Sequence, residues 1–285
     1  MRFSTSWNLL EVSRTRRDAG ALFGEEPRTS WLANYISQTK ANVAGQESFC
    51  VTRSNHVSLA AHVLLIQTES DTILVDTGTP AASDGFISEE WSNSKLRAIL
   101  RGKHIQPKDI TKVILTSPDI DHAGGMLHYD RAGNAGLAFY KAKAYYHESE
   151  YKRARPRSVE RADIALGLLD KVEPIAVSEI TEVAAGVLLH PVNGPSSNGC
   201  VVELNRGGDR VLYMGDLCPT LYHLNSSLVS SYDDAPDQTY TERKAWLEQA
   251  IERGYLVIFG HGVNIKAGYV EDQKGGLRFK PITTT

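Results

Sequence analysis

The sequence predicts an α/β fold in which two β-sheets pack face to face with helices on their outer sides. Short apolar runs that are typical of strands dominate residues 62–78 and 186–216. Each of these strand-rich stretches is followed by one that mixes helices and strands. This order is typical of two packed sheets covered by helices. The 285 residues are enough for one large domain with a sizeable core.

The composition is that of a soluble globular protein, with 41% apolar and 23% charged residues. The net charge of -3 supplies no field that would recruit nucleic acid or an anionic membrane. The sequence lacks an uninterrupted apolar run of about 18 residues, and its first residues lack the apolar core of a signal peptide. We therefore expect a protein that binds neither nucleic acid nor membrane.

The three cysteines Cys50, Cys200 and Cys218 are odd in number and widely spaced. They form neither a disulfide framework nor a C-x-x-C pair. This usage suits a reducing compartment, so the sequence predicts a cytoplasmic protein.

The elements of the first half follow from apolar periodicity. Residues 62–68 and 72–78 predict a hairpin around the polar "ESD", and residues 89–103 predict a helix with apolar residues at helical spacing. "KVILTS" predicts a short buried strand, and residues 143–148 predict another. A polar helix is expected over residues 148–170.

Three strands and a helix are predicted in the second half. The runs "GVLLHPV", "CVVELNR" and "RVLYMGD" predict strands, and "NRGGDR" predicts a hairpin turn. Residues 239–254 predict a helix that begins with a capping box of Thr239 and Glu242 and ends at Gly254. Residues 255–261 predict an apolar strand that leads to His261.

The first fifty residues are weakly periodic. We expect residues 1–50 to form an N-terminal extension that packs on a core domain of residues 51–285. The basic cluster "SRTRRDAG" within the extension is typical of a solvated surface. An entry flap and a dimer contact are the alternatives for this extension.

Polar residues stand at the ends of several apolar runs: Asp76, Asp119, Asp121, His122, Asn193, Asp216 and His261. A single aspartate at a strand end usually caps a turn. Strand ends at one edge of a sheet are, however, where functional sites are built on rigid scaffolds. Their shared placement favours one cleft with a metal site over a set of unrelated turns.

Four features follow one another along the chain: the stretch "DIDHAGG", a polar residue at a strand end, "MGD" and "FGH". This order resembles the metallo-β-lactamase superfamily, and most resembles its N-acyl-homoserine lactonase-like hydrolase branch. The early "ILVDTG" and the later "YHESE" match the same family. The resemblance covers roughly residues 60 to 265. It implies a four-layer αββα sandwich.

The sequence departs from the family motif H-x-H-x-D-H at its first two histidines, where it has Ser117 and Asp119. Asn193 stands where the family has a third histidine. By the family scheme these three positions hold the first metal. The resemblance thus implies that the first site is degenerate, with oxygen donors that could hold Mn²⁺, Mg²⁺ or Ca²⁺ weakly or hold nothing.

The resemblance also implies that the second metal site is intact. Its ligands would be Asp121, His122 and His261, with Asp216 as the bridging carboxylate. Two imidazoles and two carboxylates suit one divalent metal, with zinc first and iron or manganese as alternatives. Asp76 would orient a ligand histidine or a loop without itself binding the metal. The alternative is that Asp76 only stabilises its own tight turn.

The function expected from this site is metal-dependent hydrolysis of a small ester, lactone or thioester. Asp119 and Asp121 are the candidate catalytic carboxylates, with Asp119 accepting a proton from water. Tyr222 and His223 follow the "GD" motif and could contact the substrate. The alternatives are a mononuclear non-haem iron oxygenase and a catalytically inactive binding relative. A homodimer is compatible with the sequence.

Overall fold

The computed structural model describes residues 5–24, 26–29, 31–32, 55–79, 92–129, 135–147, 174–195, 199–224, 227–274 and 276–282. The α-helices that lie entirely within these ranges are α1 (Ala19–Phe23), α2 (Ser92–Gly102), α3 (Ile120–Ala123) and α4 (Pro236–Arg253). Among the described residues, no helix combines the length and the apolar character needed to cross a membrane.

The strands form two large sheets. The N-terminal sheet has six strands in the spatial order β1 (Ser6–Asp18), β2 (His56–Gln67), β3 (Thr72–Val75), β4 (Lys112–Ile114), β7 (Lys143–His147) and β8 (Pro174–Val177). The C-terminal sheet has seven strands in the order β15 (Gly276–Pro281), β14 (Ala267–Gln273), β13 (Leu256–Ile258), β12 (Asp209–Tyr213), β11 (Gly199–Arg206), β10 (Val187–Val192) and β9 (Thr181–Ala184). A small separate ladder joins β5 (Leu127–Tyr129) to β6 (Ala135–Leu137).

Apolar residues on both faces of β2 show how the layers are built. Leu64 and Ile66 point into the core between the two sheets, where they join Val202 and Val211 of the C-terminal sheet. Val63 and Leu65 point the other way, because side chains alternate along a strand. A strand that is apolar on both faces therefore lies between two buried layers.

Helices cover the outer faces of both sheets. Leu96 and Leu100 of α2 pack on the outer face of the N-terminal sheet. Trp246, Leu247 and Ala250 of α4 pack on the outer face of the C-terminal sheet. The predicted αββα sandwich is confirmed.

The predicted hairpins are both present. Strands β2 and β3 pair antiparallel, as do β11 and β12. The turn of the second hairpin has Gly207 and Gly208 at φ 70° and 96°. Two successive positive φ angles match the twist that a tight hairpin needs, and glycine adopts them without a steric penalty.

Helix α4 begins earlier than predicted. Its first residue is Pro236, whose fixed φ and missing N–H suit the first helical turn. The predicted capping box at Thr239 is wrong, because Thr239 lies inside the helix, where its hydroxyl donates to the carbonyl of Ala235 at 3.4 Å. Gly254 ends the helix in the left-handed conformation, as predicted.

Strand β1 lies within the predicted N-terminal extension and is built into the sheet. It pairs with β2 from the Ser6–Gln67 pair to the Asp18–His56 pair. A β-bulge between Glu11 and Ser13 shifts the register, which breaks the alternation that would have revealed the strand. The polar helix predicted for residues 148–170 and Cys50 lie outside the described residues.

Candidate metal centre

Four strand ends meet at one edge of the sandwich. Strands β3 and β4 run parallel and end just before Asp76 and the turn that leads to Asp121. Strands β12 and β13 also run parallel and end just before Asp216 and His261. One potential ligand atom from each of Asp121, His122 and His261 lies within 4.8 Å of the other two. The two sheets thus contribute jointly to one cleft.

A tight turn delivers Asp121 and His122 to this cleft. Strand β4 ends at Ile114, and α3 begins at Ile120. The backbone at Gly125 approaches β3 so closely that a Cβ there would lie 2.0 Å from the carbonyl oxygen of Thr77. Gly125 is therefore required for the close approach.

The turns that carry Asp216 and His261 are packed against each other through glycines. Gly215 has φ 50°, and a Cβ on Gly260 would lie 2.6 Å from the carbonyl oxygen of Gly215. A side chain at position 260 would push the two turns apart, whereas one at position 215 would meet Thr116 instead. This contact sets the spacing between the two potential ligands.

Asp76 is buried behind His122 and makes several hydrogen bonds. Its carboxylate accepts from the Thr116 N–H at 2.8 Å, the Thr116 hydroxyl at 2.7 Å and the Tyr213 hydroxyl at 3.1 Å. It also lies 2.9 Å from Nδ1 of His122. Because Nδ1 faces a carboxylate, it carries the proton, and Nε2 is left to face the cleft.

His261 is oriented in the same way by a backbone acceptor. Its Nδ1 lies 2.9 Å from the carbonyl oxygen of Ala60, and its backbone N–H donates to the Pro219 carbonyl at 2.7 Å. Its Nε2 lies 2.8 Å from Oδ1 of Asp216. Both imidazoles therefore hold a proton on Nδ1 and turn Nε2 into the cleft.

The Nε2 atoms of His122 and His261 converge on the carboxylate of Asp216. Nε2 of His122 lies 3.1 Å from Oδ2 of Asp216, but the geometry is not that of a hydrogen bond, and this buried nitrogen has no hydrogen-bond partner. Two imidazole lone pairs that face carboxylate oxygens require a proton or a cation between them. The donor set therefore fits a divalent metal ion.

The electrostatics of the cleft agree with this interpretation. Burial opposes protonation of His122, but the charges of Asp216 and Asp76 outweigh it and raise the pKa of His122 well above its usual range. The pKa of His261 is raised too, because Asp216 overcomes the effect of burial. Burial would raise the pKa of Asp216, yet the two imidazoles hold it well below its usual range. The cleft thus attracts positive charge, which a metal would supply.

The residues predicted for the degenerate first metal site are Ser117, Asp119 and Asn193. The Ser117 hydroxyl is buried and accepts the Asp119 N–H at 3.1 Å. Asp119 is exposed at the start of α3 and is not part of the three-residue group. Asn193 is exposed directly after β10. A weak metal site at these residues stays a prediction.

The two candidate substrate contacts differ in their surroundings. His223 is fully buried, with Nδ1 2.8 Å from the Thr220 hydroxyl and Nε2 3.3 Å from the Leu22 carbonyl oxygen. Burial lowers its pKa to about 3, so it is neutral. We therefore correct the predicted role of His223 to a structural one. The ring of Tyr222 packs edge-on against Phe23, and its contact with a substrate stays a prediction.

Two arginines near the site were not identified from the sequence. Arg17 of β1 has Nη2 3.6 Å from Oδ2 of Asp121, although its basic cluster was interpreted as solvated surface. Arg243 is almost fully buried beneath the Asp216 turn, and its guanidinium donates to the carbonyls of Leu217 at 2.6 Å and of Leu228. Arg243 could have been noticed, since it stands at a core position of the α4 apolar stripe.

Comparison with known proteins connects this site to a family. A model of the metallo-β-lactamase superfamily matches residues 58–261. Curated relatives described as probable metallo-hydrolases, from Mycobacterium bovis and Mycobacterium tuberculosis, are 24% identical over 192 residues. The match covers 59% of this chain and 58% of each relative, so the chain spans less than two thirds of their length.

Solved structures share the fold over nearly the whole chain. A probable metal-dependent hydrolase from Staphylococcus aureus has a TM-score of 0.80 at 24% identity, with full coverage of both chains. AidC, a dizinc quorum-quenching lactonase solved with its product, has a TM-score of 0.77 at 16% identity and covers 100% of this chain and 97% of its own. Together with the family match, which spans most of the sequence, the fold and the order of the strand-end motifs show that this chain belongs to the metallo-β-lactamase superfamily.

Proposed function

We propose that the protein is a metal-dependent hydrolase of a small lactone or ester. The observation that carries this proposal is the convergence of two oriented Nε2 atoms, from His122 and His261, on Asp216 and beside Asp121. We assign Asp121, His122 and His261 as the metal ligands and Asp216 as the fourth. Zinc is the metal that we expect, since it favours such a nitrogen and oxygen donor set.

Similarity to lactonases supports a lactone as the substrate. AidC was solved with N-hexanoyl-L-homoserine, the product of its lactonase reaction. A second quorum-quenching N-acyl homoserine lactone lactonase has a TM-score of 0.67 at 19% identity and matches 92% of this chain. The motif order of the sequence supports the same class of substrate. An ester or a thioester would present the same carbonyl chemistry to the cleft.

Each residue of the cleft has a chemical task in this proposal. A divalent metal held here would polarise the substrate carbonyl and lower the pKa of water to about 7. Asp76 and the Ala60 carbonyl keep the two imidazoles in the required tautomer. Asp119, exposed two residues before Asp121, would accept the proton that water loses. Asp121 is the second candidate catalytic carboxylate, and Arg17 offsets part of its charge.

The test is hydrolysis of N-hexanoyl-homoserine lactone by protein purified without chelators. We expect the pH to fall as the lactone opens, because a carboxylic acid is formed. A chelator should abolish turnover, and added zinc should restore it. Asp119→Asn should lower kcat while the metal content stays constant. If zinc-loaded protein opens neither this lactone, nor p-nitrophenyl acetate, nor an acyl thioester, the proposal is wrong.

A mononuclear iron enzyme is a second candidate, because the group of two histidines and Asp121 has the composition of a non-haem iron triad. Metal analysis of the same preparation distinguishes the two functions. Zinc near one ion per chain supports the hydrolase, whereas iron that changes its absorption spectrum with oxygen supports the oxygenase. Protein that neither carries nor takes up metal would support a binding relative.

A further inference from the structure

Asp216 differs from the two histidines of the cleft in how its side chain is oriented. Among the described residues, the polar contacts of its carboxylate are Nε2 of His122 at 3.1 Å and Nε2 of His261 at 2.8 Å. Each histidine, by contrast, is held from behind by an oxygen acceptor. The direction of the Asp216 side chain therefore depends on the backbone of the turn that carries it, the Asp216 turn (Gly215–Leu217).

A side chain from α4 helps to hold the Asp216 turn in place. Within the turn, the Leu217 N–H donates to the Met214 carbonyl at 3.1 Å. The Leu217 carbonyl is turned towards α4, where it accepts Nε–H of Arg243 at 2.6 Å. Because Leu217 directly follows Asp216, this hydrogen bond acts on the peptide unit next to the proposed ligand.

Arg243 is charged and yet only 1% exposed. Removing a charge from water is costly, and an apolar side chain of similar size would fill the same space without that cost. Burial lowers the pKa of Arg243, although a guanidinium stays charged at neutral pH. A charged group that is buried at such a cost is expected to do more than fill space.

A second hydrogen bond limits the freedom of the guanidinium. Its Nη1 donates to the Leu228 carbonyl, while Nε donates to the Leu217 carbonyl. The segment after Leu228 is in turn tied to α1, since the Ser231 N–H donates to the Ala21 carbonyl at 2.8 Å. A planar guanidinium with two donors engaged cannot turn freely. Arg243 thus holds the Asp216 turn at a fixed position relative to α4 and α1.

We propose that Arg243 is a positioning residue that holds the Asp216 carboxylate in the direction needed to bind a metal ion. Its bond to the Leu217 carbonyl does for Asp216 what the Asp76 carboxylate does for His122. The proposal rests on the assignment of Asp216 as the fourth metal ligand in the proposed function. Removal of such a supporting group typically weakens metal binding by about 10–100-fold. An arginine with a purely structural role would contribute stability alone.

Amide hydrogen exchange and zinc titration of the protein test this role. Arg243→Met is unbranched but donates no hydrogen bond, so exchange in the Asp216 turn of metal-free protein, relative to that in β2, should become about tenfold faster or more. The zinc dissociation constant, measured in competition with a chromophoric chelator, should rise about tenfold or more. Arg243→Lys can reach one carbonyl but not both, so its values should lie between those of Arg243→Met and the wild type. If Arg243→Met does not fold, Arg243→Lys decides the question.

Trp246→Leu is the matched control on the same helix. Trp246 is also buried, but its ring packs edge-on against the His190 ring of β10. This variant should lower the melting temperature and leave both the relative exchange in the Asp216 turn and the zinc affinity at their wild-type values.

Unchanged exchange in the turn of Arg243→Met would overturn the proposal. An equal loss of zinc affinity in Trp246→Leu and Arg243→Met would do the same, because the loss would then follow stability alone. If the wild type binds no zinc, the proposed metal-dependent hydrolase fails, whereas exchange in the metal-free turn still decides the role of Arg243.

Discussion

His122 and His261 are held by acceptors on the far side of each ring, one a carboxylate and one a backbone carbonyl. Such partners fix both the tautomer and the direction of the free nitrogen, so the two Nε2 atoms converge before any metal arrives. A site that is organised in this way loses little entropy when it binds a cation. It also depends strongly on each nitrogen, since the described residues of the cleft supply two imidazoles.

Replacing His261 by alanine should abolish tight metal binding, because it removes one of the two nitrogen donors. Asn193→Ala is the matched control, and we expect it to change the metal content little, since Asn193 is exposed at the end of β10. Zinc per chain after dialysis against metal-free buffer is the measurement. Unchanged zinc in the His261 variant would show that the ligands are assigned wrongly.

Asp233 should make the stability depend on pH. Burial raises its pKa from 3.8 to about 6, while the hydrogen bond from Ser230 and the charge of Arg243 oppose the shift. A pKa that is higher in the folded state means that this carboxyl contributes stability below pH 3.8 and loses that contribution as the pH rises through about 6.

Asp233→Asn should therefore raise the melting temperature relative to the wild type, and the gain should be larger at pH 7.5 than at pH 4.5. Asparagine keeps the acceptor for the Ser230 N–H but carries no charge. Asp272→Asn, an exposed carboxylate on β14, serves as the control. A gain that does not vary with pH would contradict the assignment.

The meeting of the site's side chains in one cleft was predictable because the family motif and the strand-end pattern point to the same positions. Asp76, Asp121, His122, Asp216 and His261 all follow short apolar runs, and their type alone suggests metal chemistry. The surroundings of His223 were not predictable, since Thr220 and the Leu22 carbonyl reach it through tertiary packing. Proximity in sequence to the motif did not indicate that the His223 side chain is fully buried.

At the scale of elements, the turn between β4 and α3 depends on backbone contacts more than on side chains. Gly125 donates its N–H to the Gly78 carbonyl at 2.8 Å and leaves no room for a Cβ. Any side chain there would push α3 away from β3, and His122 would move with it. The position of one ligand is therefore set by a glycine three residues later.

Gly125→Ala should destabilise the fold by roughly 1–3 kcal/mol, the usual range for overpacking in a buried region. It should also reduce the metal affinity, because α3 carries Asp121 and His122. Gly102→Ala is a matched control at the end of α2, where an added Cβ has no neighbour within 4 Å. Urea unfolding of both variants, with and without zinc, measures the two effects. Equal stability of the two variants would contradict this interpretation.

Elements with regular periodicity were predicted well, whereas those that depend on local irregularity were not. Strands β2, β3 and β11 and the body of α4 follow from apolar spacing. Strand β1 was missed because its bulge changes the face on which apolar residues fall. The start of α4 was misplaced because Thr239 and Glu242 imitate a capping box inside a helix that Pro236 begins.

At the scale of the whole molecule, the proposed ligands come from both sheets. Asp121 and His122 follow the N-terminal sheet, whereas Asp216 and His261 follow the C-terminal sheet. Direct bonds already join the sheets here, since Tyr213 donates to Asp76, and His261 contacts the Ala60 carbonyl. A metal would add a further link across the same interface.

Zinc should therefore raise the melting temperature of metal-free protein. At a zinc concentration one hundred times the dissociation constant, binding to the folded state alone contributes about 2.7 kcal/mol. For a domain of this size, that corresponds to a shift of roughly 5 °C. Differential scanning calorimetry measures the shift, and His261→Ala should show none. A similar shift in that variant would mean that zinc binds elsewhere.

The glycine contact between the Asp216 and His261 turns also bears on the order of folding events. These turns acquire their spacing only when β12 and β13 lie side by side, and the N-terminal sheet must dock before His122 can face them. We therefore expect the cation to bind late in folding, after the two sheets have docked. An interaction that is absent from the transition state slows unfolding and leaves the folding rate unchanged. Metal would then act chiefly by prolonging the lifetime of the native state.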